Sequence, residues 1–299
     1  MPTTTTGDSP GPEALVVHAR LVELVDRIAL GDSAVRRRKP SGVHQMRVTL
    51  RRLRSILTTF APLYDETAVA SLRGEVKWLA GELGGARDAE VVRQRLGEMA
   101  ATDEQRAVAA RVDVELAEAQ ATGVERAVAA LDSKRYSEMV QELADFAGTP
   151  PWSLEANRPE TEFPRQRVLR EWKRLRRRVH RADEAEGAVL RREALHEARK
   201  AAKRLRYAAE TLKPAYGKDA ARLARRAKGL QETLGDIQDH AVARETLRAL
   251  ADKPGRDAHD AFVLGTFHAD EDPHWAEAEE RYADAWASIA RKKNRGWLT

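Results

Sequence analysis

One basic helical segment occurs twice in the chain. Residues 43–65 read VHQMRVTLRRLRSILTTFAPLYD, and residues 195–217 read LHEARKAAKRLRYAAETLKPAYG. The matching positions are mostly cationic: His44, Arg47, Arg52 and Arg54 correspond to His196, Arg199, Arg204 and Arg206, and Arg51 corresponds to Lys203. A repeat that only packs a core needs to keep its apolar positions alone. The repeated cations therefore indicate a surface that meets anions.

The repeat extends beyond this segment. Residues 83–91, LGGARDAEV, parallel residues 234–242, LGDIQDHAV, and Lys77 matches Lys228 shortly before them. Copies of this length are whole helical units and are too long for a short solenoid repeat. The pattern predicts a tandem duplication, in which two similar helical bundles pack about a pseudo-twofold axis.

The composition limits the classes of function. Of 299 residues, 33% are charged, and 52 Lys and Arg against 47 Asp and Glu give a formal net charge of +5. The absence of cysteine excludes disulfides, thiolate zinc sites and cysteine nucleophiles. The sequence begins without the apolar stretch of a signal peptide, and it contains no apolar run that could span a bilayer. We therefore expect a soluble, cytoplasmic protein.

The spacing of apolar residues predicts an all-α fold. They recur three and four positions apart, and only 5% of the residues are aromatic. Residues 1–12 are predicted to be a disordered tail, and the proline-rich segment 148–164 is predicted to link a first helical half at 13–147 to a second at 165–299. Helices are predicted at 13–30, 43–61, 66–83, from Arg87, and at 102–130, 133–147, 165–181, 194–213, 218–234, 238–251 and 275–293. Gly31-Asp32 and Gly84-Gly85 are predicted to break helices, and residues 252–275 to be irregular.

Both copies of the basic helix separate an apolar face from a cationic one. On the first helix His44, Arg47, Arg51 and Arg54 form a stripe that Arg52 flanks. On the second helix the stripe is His196, Arg199, Lys203 and Arg206, and it is widened by Lys200, Arg204 and Tyr207. Like charges at these spacings repel by roughly 0.2–0.5 kcal/mol per pair, which a bound polyanion would relieve. Arginine suits this task because its planar fork grips two phosphate oxygens at once.

Other interpretations stay open for several of these residues. A single basic helix face is most often a solvated surface, although two copies in register and the very basic segment 165–181 argue against that here. His44 and His196 are either structural groups or donors to phosphate. Tyr207 either caps a core or touches a ligand. Arg87-Asp88 either forms an ion pair or contacts a ligand.

The paired motifs resemble the CHAD domain family, the conserved histidine α-helical domain. The resemblance rests on His-x-x-Arg-x-x-x-Arg-Arg-Leu-Arg at 44–54, on His-x-x-Arg-x-x-x-Lys-Arg-Leu-Arg-Tyr at 196–207, and on the LG-x-x-(Arg/Gln)-Asp segments at 83–88 and 234–239. It covers residues 13–299. It implies two helical halves related by pseudo-twofold symmetry, with a central basic cleft or channel that binds inorganic polyphosphate.

The resemblance also implies which residues line that surface. Carried over by position, they are His44, Arg47, Arg51, Arg52, Arg54, His196, Arg199, Lys200, Lys203, Arg204 and Arg206, with Lys77 and Lys228 added. Val48 stands where the second copy has Lys200, so the two halves should contribute unequally. Some members of the family associate with polyphosphate granules. Many are fused to a triphosphate-processing CYTH barrel, which this sequence lacks, so we expect a stand-alone CHAD protein without a cofactor.

Three other functions compete with non-enzymatic polyphosphate binding. Nucleic-acid binding would use the basic helices, but the sequence has no recognised DNA-binding motif and few aromatic residues for stacking. A phosphoanhydride-processing enzyme would need a carboxylate-held metal or a phosphate loop, and only Asp88 and Asp239 are symmetrically placed. Metal chelation by His44 and His196 is disfavoured among so many cations. The prediction is therefore binding of polyphosphate without catalysis or a metal.

Overall fold

The computed structural model describes residues 10–39, 41–156 and 163–298, and it gives only the backbone of residues 87, 88, 241 and 270–276. Most of the predicted tail, the middle of the predicted linker and the side chains of Arg87 and Asp88 lie outside the described residues. Within the described part the fold is all-α, as predicted. The one isolated β-bridge found there joins Tyr64 to Trp152.

Ten α-helices account for most of the described residues. They are α1 (Pro12–Arg36), α2 (Gly42–Thr59), α3 (Glu66–Glu82), α4 (Gly84–Met99), α5 (Asp103–Leu131), α6 (Lys134–Gly148), α7 (Phe163–Asp183), α8 (Ala188–Thr211), α9 (Lys213–Ala251) and α10 (Ala258–Ala290). Short 3-10 helices lie between α2 and α3, at Ala61–Leu63, and after α10, at Lys292–Asn294 and Gly296–Leu298. None of the described helices is both long enough and apolar enough to cross a membrane.

The predicted end of the first helix was wrong. Instead of stopping at residue 30, α1 continues through Gly31-Asp32 to Arg36. Gly31 is buried against α2, where a Cβ at this position would lie only 3.1 Å from the Cβ of Met46. The glycine therefore serves the close approach of two helices and does not break one.

Two boundaries in the second half were also wrong. The predicted break between residues 234 and 238 is absent, since α9 is helical up to Ala251, and its kink lies at Gly217 with φ 51°. Residues 252–275 were predicted to be irregular, but α10 begins at Ala258. Its start is fixed by Asp257, whose carboxylate accepts hydrogen bonds from the backbone N–H groups of His259 and Asp260.

A main hydrophobic core runs through the centre of the molecule. It collects side chains from α1, α2, α3, α5, α6, α7, α8, α9 and α10. The repeated helices α2 and α8 pack directly on each other, and their equivalent leucines, Leu53 and Leu205, are fully buried. Burial of the apolar face fixes which way each helix turns its cations.

A second, smaller core joins the far ends of α4, α5, α9 and α10. This tip cluster consists of Leu96, Val108, Ala109, Val112, Leu247, Val263, Leu264 and Phe267. It holds α4 and α9 in place at a distance from the main core. The cleft described below opens between the tip cluster and the crossing of α2 and α8.

The described part of the predicted linker is bound to the first half. Trp152 stacks on Tyr64, with ring centroids 5.0 Å apart and planes 17° from parallel. The backbone N–H of Asp65 donates to Pro151 O at 2.8 Å, and that of Gly11 donates to Ala156 O at 2.8 Å. These contacts tie residues 151–156 to the start of α1 and to the start of α3.

Candidate functional site

A cleft of about 430 Å³ lies between α2, α4, α8 and α9. His44, Arg47 and Arg51 of α2 line one side of it together with Arg199 and Lys203 of α8. The structure therefore brings five of the predicted residues, drawn from both copies of the repeat, into one cleft. Arg95 adds a further cation, and the acidic groups in the lining are Glu98 and Asp239.

The rest of the lining is largely apolar. It consists mainly of Val91, Val92, Leu96 and Met99 from α4, and of Val242, Ala243 and Leu247 from α9. Val91 and Val242 hold the same place in the two copies, and both are exposed. Apolar groups beside a row of cations lower the local dielectric constant, so an anion in the cleft is attracted more strongly than on an open surface.

Lys203 is the most perturbed cation of the cleft. Burial, together with the neighbouring charges of Arg199 and Arg51, lowers the pKa of its ammonium group to about 7, and the carboxylate of Asp239 opposes the shift. At neutral pH the free protein therefore carries Lys203 only partly protonated. Strongly shifted groups in a cleft are typical of functional sites, because a ligand of opposite charge can relieve the cause of the shift.

Two glycines give the equivalent arginines Arg47 and Arg199 their places. A Cβ at Gly84 would lie 3.2 Å from Arg47 Nη1, and a Cβ at Gly235 would lie 3.3 Å from Arg199 Nη2. Both glycines belong to the repeated Leu-Gly motif, so each copy makes room for its guanidinium group in the same way. The Nη2 atom of Arg199 also lies 3.7 Å from Asp239 Oδ1.

Replacing Gly235 with alanine is expected to weaken anion binding without destabilising the fold. The new Cβ presses on the Arg199 guanidinium group, which must shift by a few tenths of an ångström. Alanine favours a helix interior over glycine by about 1 kcal/mol, so the Tm should hold or rise while the Kd for an anionic ligand rises several-fold. Thermal melting and a binding titration measure the two effects.

Gly229 provides the matched control for that substitution. It lies on the same helix, and a Cβ there would meet nothing within 4 Å. G229A should therefore raise the Tm and leave the Kd unchanged. Equal Kd values for G235A and G229A would contradict a role for Gly235 in placing the arginine.

Sequence reasoning missed Arg95. Its Nη2 lies 2.8 Å from Nδ1 of His240, which is buried on α9 and holds the guanidinium group at the cleft. The repeat carried no signal for this residue, because the second copy has Thr246 at the corresponding position. The apolar residues of α4 and α9 were missed for a related reason: their exposure depends on how the two helices are placed.

Tyr207 joins the two basic helices from a buried position. Arg51 Nε donates to its hydroxyl oxygen at 3.3 Å, and the guanidinium groups of Arg52 and Arg206 lie 5.6 Å from its ring centroid. Glu210 further connects these arginines, since it accepts from Arg206 Nε at 2.7 Å and lies 3.7 Å from Arg52 Nη2. Tyr207, Arg52 and Arg206 thus support the cleft residues and are outside its lining.

The two repeated histidines lie in different pockets. His44 lines the cleft, whereas His196 lines a smaller pocket with Arg192, Glu193, Glu197 and Gln238. The Nδ1 atom of His196 lies 2.9 Å from Gln238 Oε1. Burial, followed by the charge of Lys200, lowers the pKa of His196. The structure does not bring His44 and His196 together.

Five other predicted residues lie outside the cleft lining. Arg54, Lys77, Lys200 and Lys228 are exposed, and Arg204 is half-buried. Lys228 Nζ lies 3.1 Å from Glu232 Oε1, and Lys200 Nζ donates to Glu197 Oε1 at 2.7 Å. The predicted set therefore divides into a cleft group, a supporting group around Tyr207 and an outer group.

An all-α protein with a cationic cleft between two repeated helices is the class that fold and site define. The chain matches the model of the CHAD domain over residues 19–248, and it belongs to the CHAD domain family. The cleft residues His44, Arg47, Arg51, Arg199 and Lys203 lie within the matched range.

Relatives of known sequence and structure agree with this membership. The chain is 33% identical over 294 residues to the uncharacterized proteins MT2285 and Rv2226 of two Mycobacterium tuberculosis strains. The match covers 96% of this chain and 55% of each relative, so the chain spans about half the length of these curated relatives. Its fold is similar to that of PptA from Streptomyces chartreusis, with a TM-score of 0.76, 20% identity, and coverage of 93% of this chain and 100% of that one. The crystal structure of the CHAD domain from the plant Ricinus communis gives a TM-score of 0.71 at 25% identity, covering 94% and 93% of the two chains.

Proposed function

We propose that this protein binds inorganic polyphosphate in the cleft between α2, α4, α8 and α9 and does not alter it chemically. The observation that carries the proposal is the meeting of repeated cations from both basic helices in one cleft. Membership of the CHAD domain family supports it. Polyphosphate has one charge per phosphate and no bases, which suits a lining in which none of the described residues is Phe, Tyr or Trp.

The binding mechanism is electrostatic clamping. Arg47 and Arg51 of α2 and Arg199 of α8 hold successive phosphates through charge-assisted hydrogen bonds. The bound anion relieves the repulsion among these cations, and it favours the protonated form of Lys203. The apolar residues of α4 and α9 keep the local dielectric constant low, which strengthens each of these attractions.

In this proposed function the protein carries out no catalytic step. It binds polyphosphate in the cytoplasm, including at polyphosphate granules. Of the two carboxylates in the lining, that of Asp239 already lies beside Arg199. The cations of the lining outnumber these two carboxylates, which favours holding an anion over holding the metal ion that phosphoryl transfer uses.

A salt titration with a competition arm tests this function. Because each phosphate contact contributes about 0.7 to the slope of log K against log salt for a single-stranded polyanion, five contacts give a slope of about −3.5. Duplex DNA at equal phosphate concentration should fail to displace polyphosphate, and no phosphate should be released with Mg²⁺ or Mn²⁺. Displacement by DNA would favour nucleic-acid binding, and phosphate release would identify an enzyme.

A further inference from the structure

α7 carries a second cationic surface, which the cleft does not include. Its apolar side is buried at Val168, Trp172, Leu175 and Val179. Between Phe163 and Ala182 the only acidic residue is Glu171, and it too is buried. The exposed side forms a row of cations, named here the α7 ridge: Arg170, Lys173, Arg176, Arg177 and Arg181.

The α7 ridge keeps this charge against electrostatic repulsion. Like charges three and four residues apart destabilise a helix by roughly 0.2–0.5 kcal/mol per pair. The ion pairs that the structure describes for α7 join Arg178 to Glu197 at 3.8 Å and Arg174 to the buried Glu171 at 3.9 Å, and His180 Nε2 lies 3.4 Å from Glu184 Oε1. They involve none of the five ridge residues. An external anion would relieve the repulsion.

Arg204 connects the α7 ridge to the surroundings of the cleft. Burial lowers the pKa of its guanidinium group, and the charges of Arg174 on α7 and Arg54 on α2 lower it further, because both lie close by. Lys203, which directly precedes Arg204 on α8, lines the cleft and lies near Arg51. A series of cations therefore leads from the cleft, across the crossing of α2 and α8, to α7, and Glu171 and Glu197 lie beside it, near Arg174 and Arg178.

A flexible linear polyanion fits this series better than a flat or rigid one. From Arg170 to Arg181 the ridge extends over eleven residue steps, about 16 Å at 1.5 Å per residue. A single chain can lie in the cleft and bend across α8 onto the ridge. A membrane surface or a duplex would meet the exposed ridge without entering the cleft.

We propose that the α7 ridge is an accessory site for long polyphosphate. A chain seated in the cleft continues past Arg54 and Arg204 onto the ridge, so the protein prefers polymers that are too long for the cleft alone. This inference rests on the proposed function of the cleft. It adds that the preferred ligand is a long polyphosphate chain. It also assigns a role to α7, a helix that is outside the repeated motifs.

The test compares tripolyphosphate with long-chain polyphosphate on wild type and on K173E/R177E. Both residues are exposed, so the fold should survive, and circular dichroism checks this. The variant should lose at least tenfold in affinity for the long chain and bind tripolyphosphate as wild type does. Its salt slope for the long chain should fall by about 0.7 for each lost phosphate contact.

R106E/K134E is the matched control, with the same change in charge on α5 and α6, which supply no residue to the cleft lining. It should bind both ligands as wild type does. Wild-type affinity of K173E/R177E for the long chain, or an equal loss for both ligands, would overturn the accessory site while leaving the cleft intact. A loss confined to duplex DNA or anionic vesicles would overturn it as well. Wild type that binds neither phosphate ligand would instead contradict the function proposed for the cleft.

Discussion

Replacing Arg51 and Lys203 together with glutamate is expected to weaken polyphosphate binding by at least ~100-fold. Each residue supplies a cation from a different copy of the repeat to the same cleft. A hydrogen bond to a charged group contributes about 1.5–3 kcal/mol, so the loss of two amounts to about 3 kcal/mol or more before repulsion is added. Calorimetric titration at fixed salt measures the change.

The control for this variant is again R106E/K134E, which alters charge equally without touching the cleft. Because Lys203 is half-buried, R51Q/K203M provides a second, uncharged test if glutamate disturbs the fold. Removing a desolvated ammonium group should keep or raise the Tm of this variant, since burial disfavours the charged form. Tight binding by folded R51Q/K203M would rule out the cleft as the polyphosphate site.

Affinity for long polyphosphate is expected to fall as the pH rises above about 7. In the free protein the pKa of Lys203 is lowered to about 7, and a bound polyanion raises it, so binding takes up a proton. Below pH 7 Lys203 is charged in both states and the affinity is full. Above it the Kd increases by up to ~10-fold per pH unit, until the pKa in the complex is reached. Binding titrations in buffers of different ionisation enthalpy measure both the Kd and the proton uptake.

K203R isolates the contribution of Lys203 to this profile. Arginine stays protonated throughout the range, so the variant should lose the pH dependence above pH 7 and keep its affinity. The other charged groups near Lys203 are Arg199, Arg51, Arg206 and Asp239. Long chains keep the contribution of titrating phosphate end groups small. A profile of K203R that matches wild type would assign the dependence to another group.

The orientation of the basic helices could be predicted from the sequence because it follows from one helix at a time. Burial of Leu53 and Leu205 turns the opposite sides of α2 and α8 outward, as their periodicity predicts. The pairing of the helices also agrees with the match between the copies, since Arg51 and Lys203 meet in the cleft. These features depend on the local period and on the chemistry of the side chains.

Which residues of the cationic stripe line the cleft depends on the neighbouring helices. The helical period of the sequence does not indicate where those helices lie. Arg51 and Arg54 lie on the same predicted stripe, yet α4 and α9 cover only the first and make it part of the cleft. Tyr207 is on the polar side of α8, but it is buried because α2 crosses there. His196 lies beside Gln238 of α9 in a pocket of its own, whereas His44 lines the cleft. To predict any of these features, the position of a second or third helix must be known.

Glycine was the other source of error. Gly31 and Gly235 were each interpreted as part of a helix break, and in the structure each lies inside a helix. Both are present because another side chain comes close: Met46 in one case and Arg199 in the other. A sequence shows that a residue lacks a Cβ, but the reason appears only when the neighbouring element is known.

Beyond its kink at Gly217, α9 continues without interruption to Ala251 and forms one long rigid segment. Leu230 and Leu234 anchor it in the main core, Asp239 and Val242 face the cleft, and Leu247 belongs to the tip cluster. A shift at the tip is therefore carried along the helix to the cleft instead of being absorbed at a joint. Leu96 and Leu247 belong both to the tip cluster and to the cleft lining, so the packing around Phe267 continues directly into the wall of the cleft.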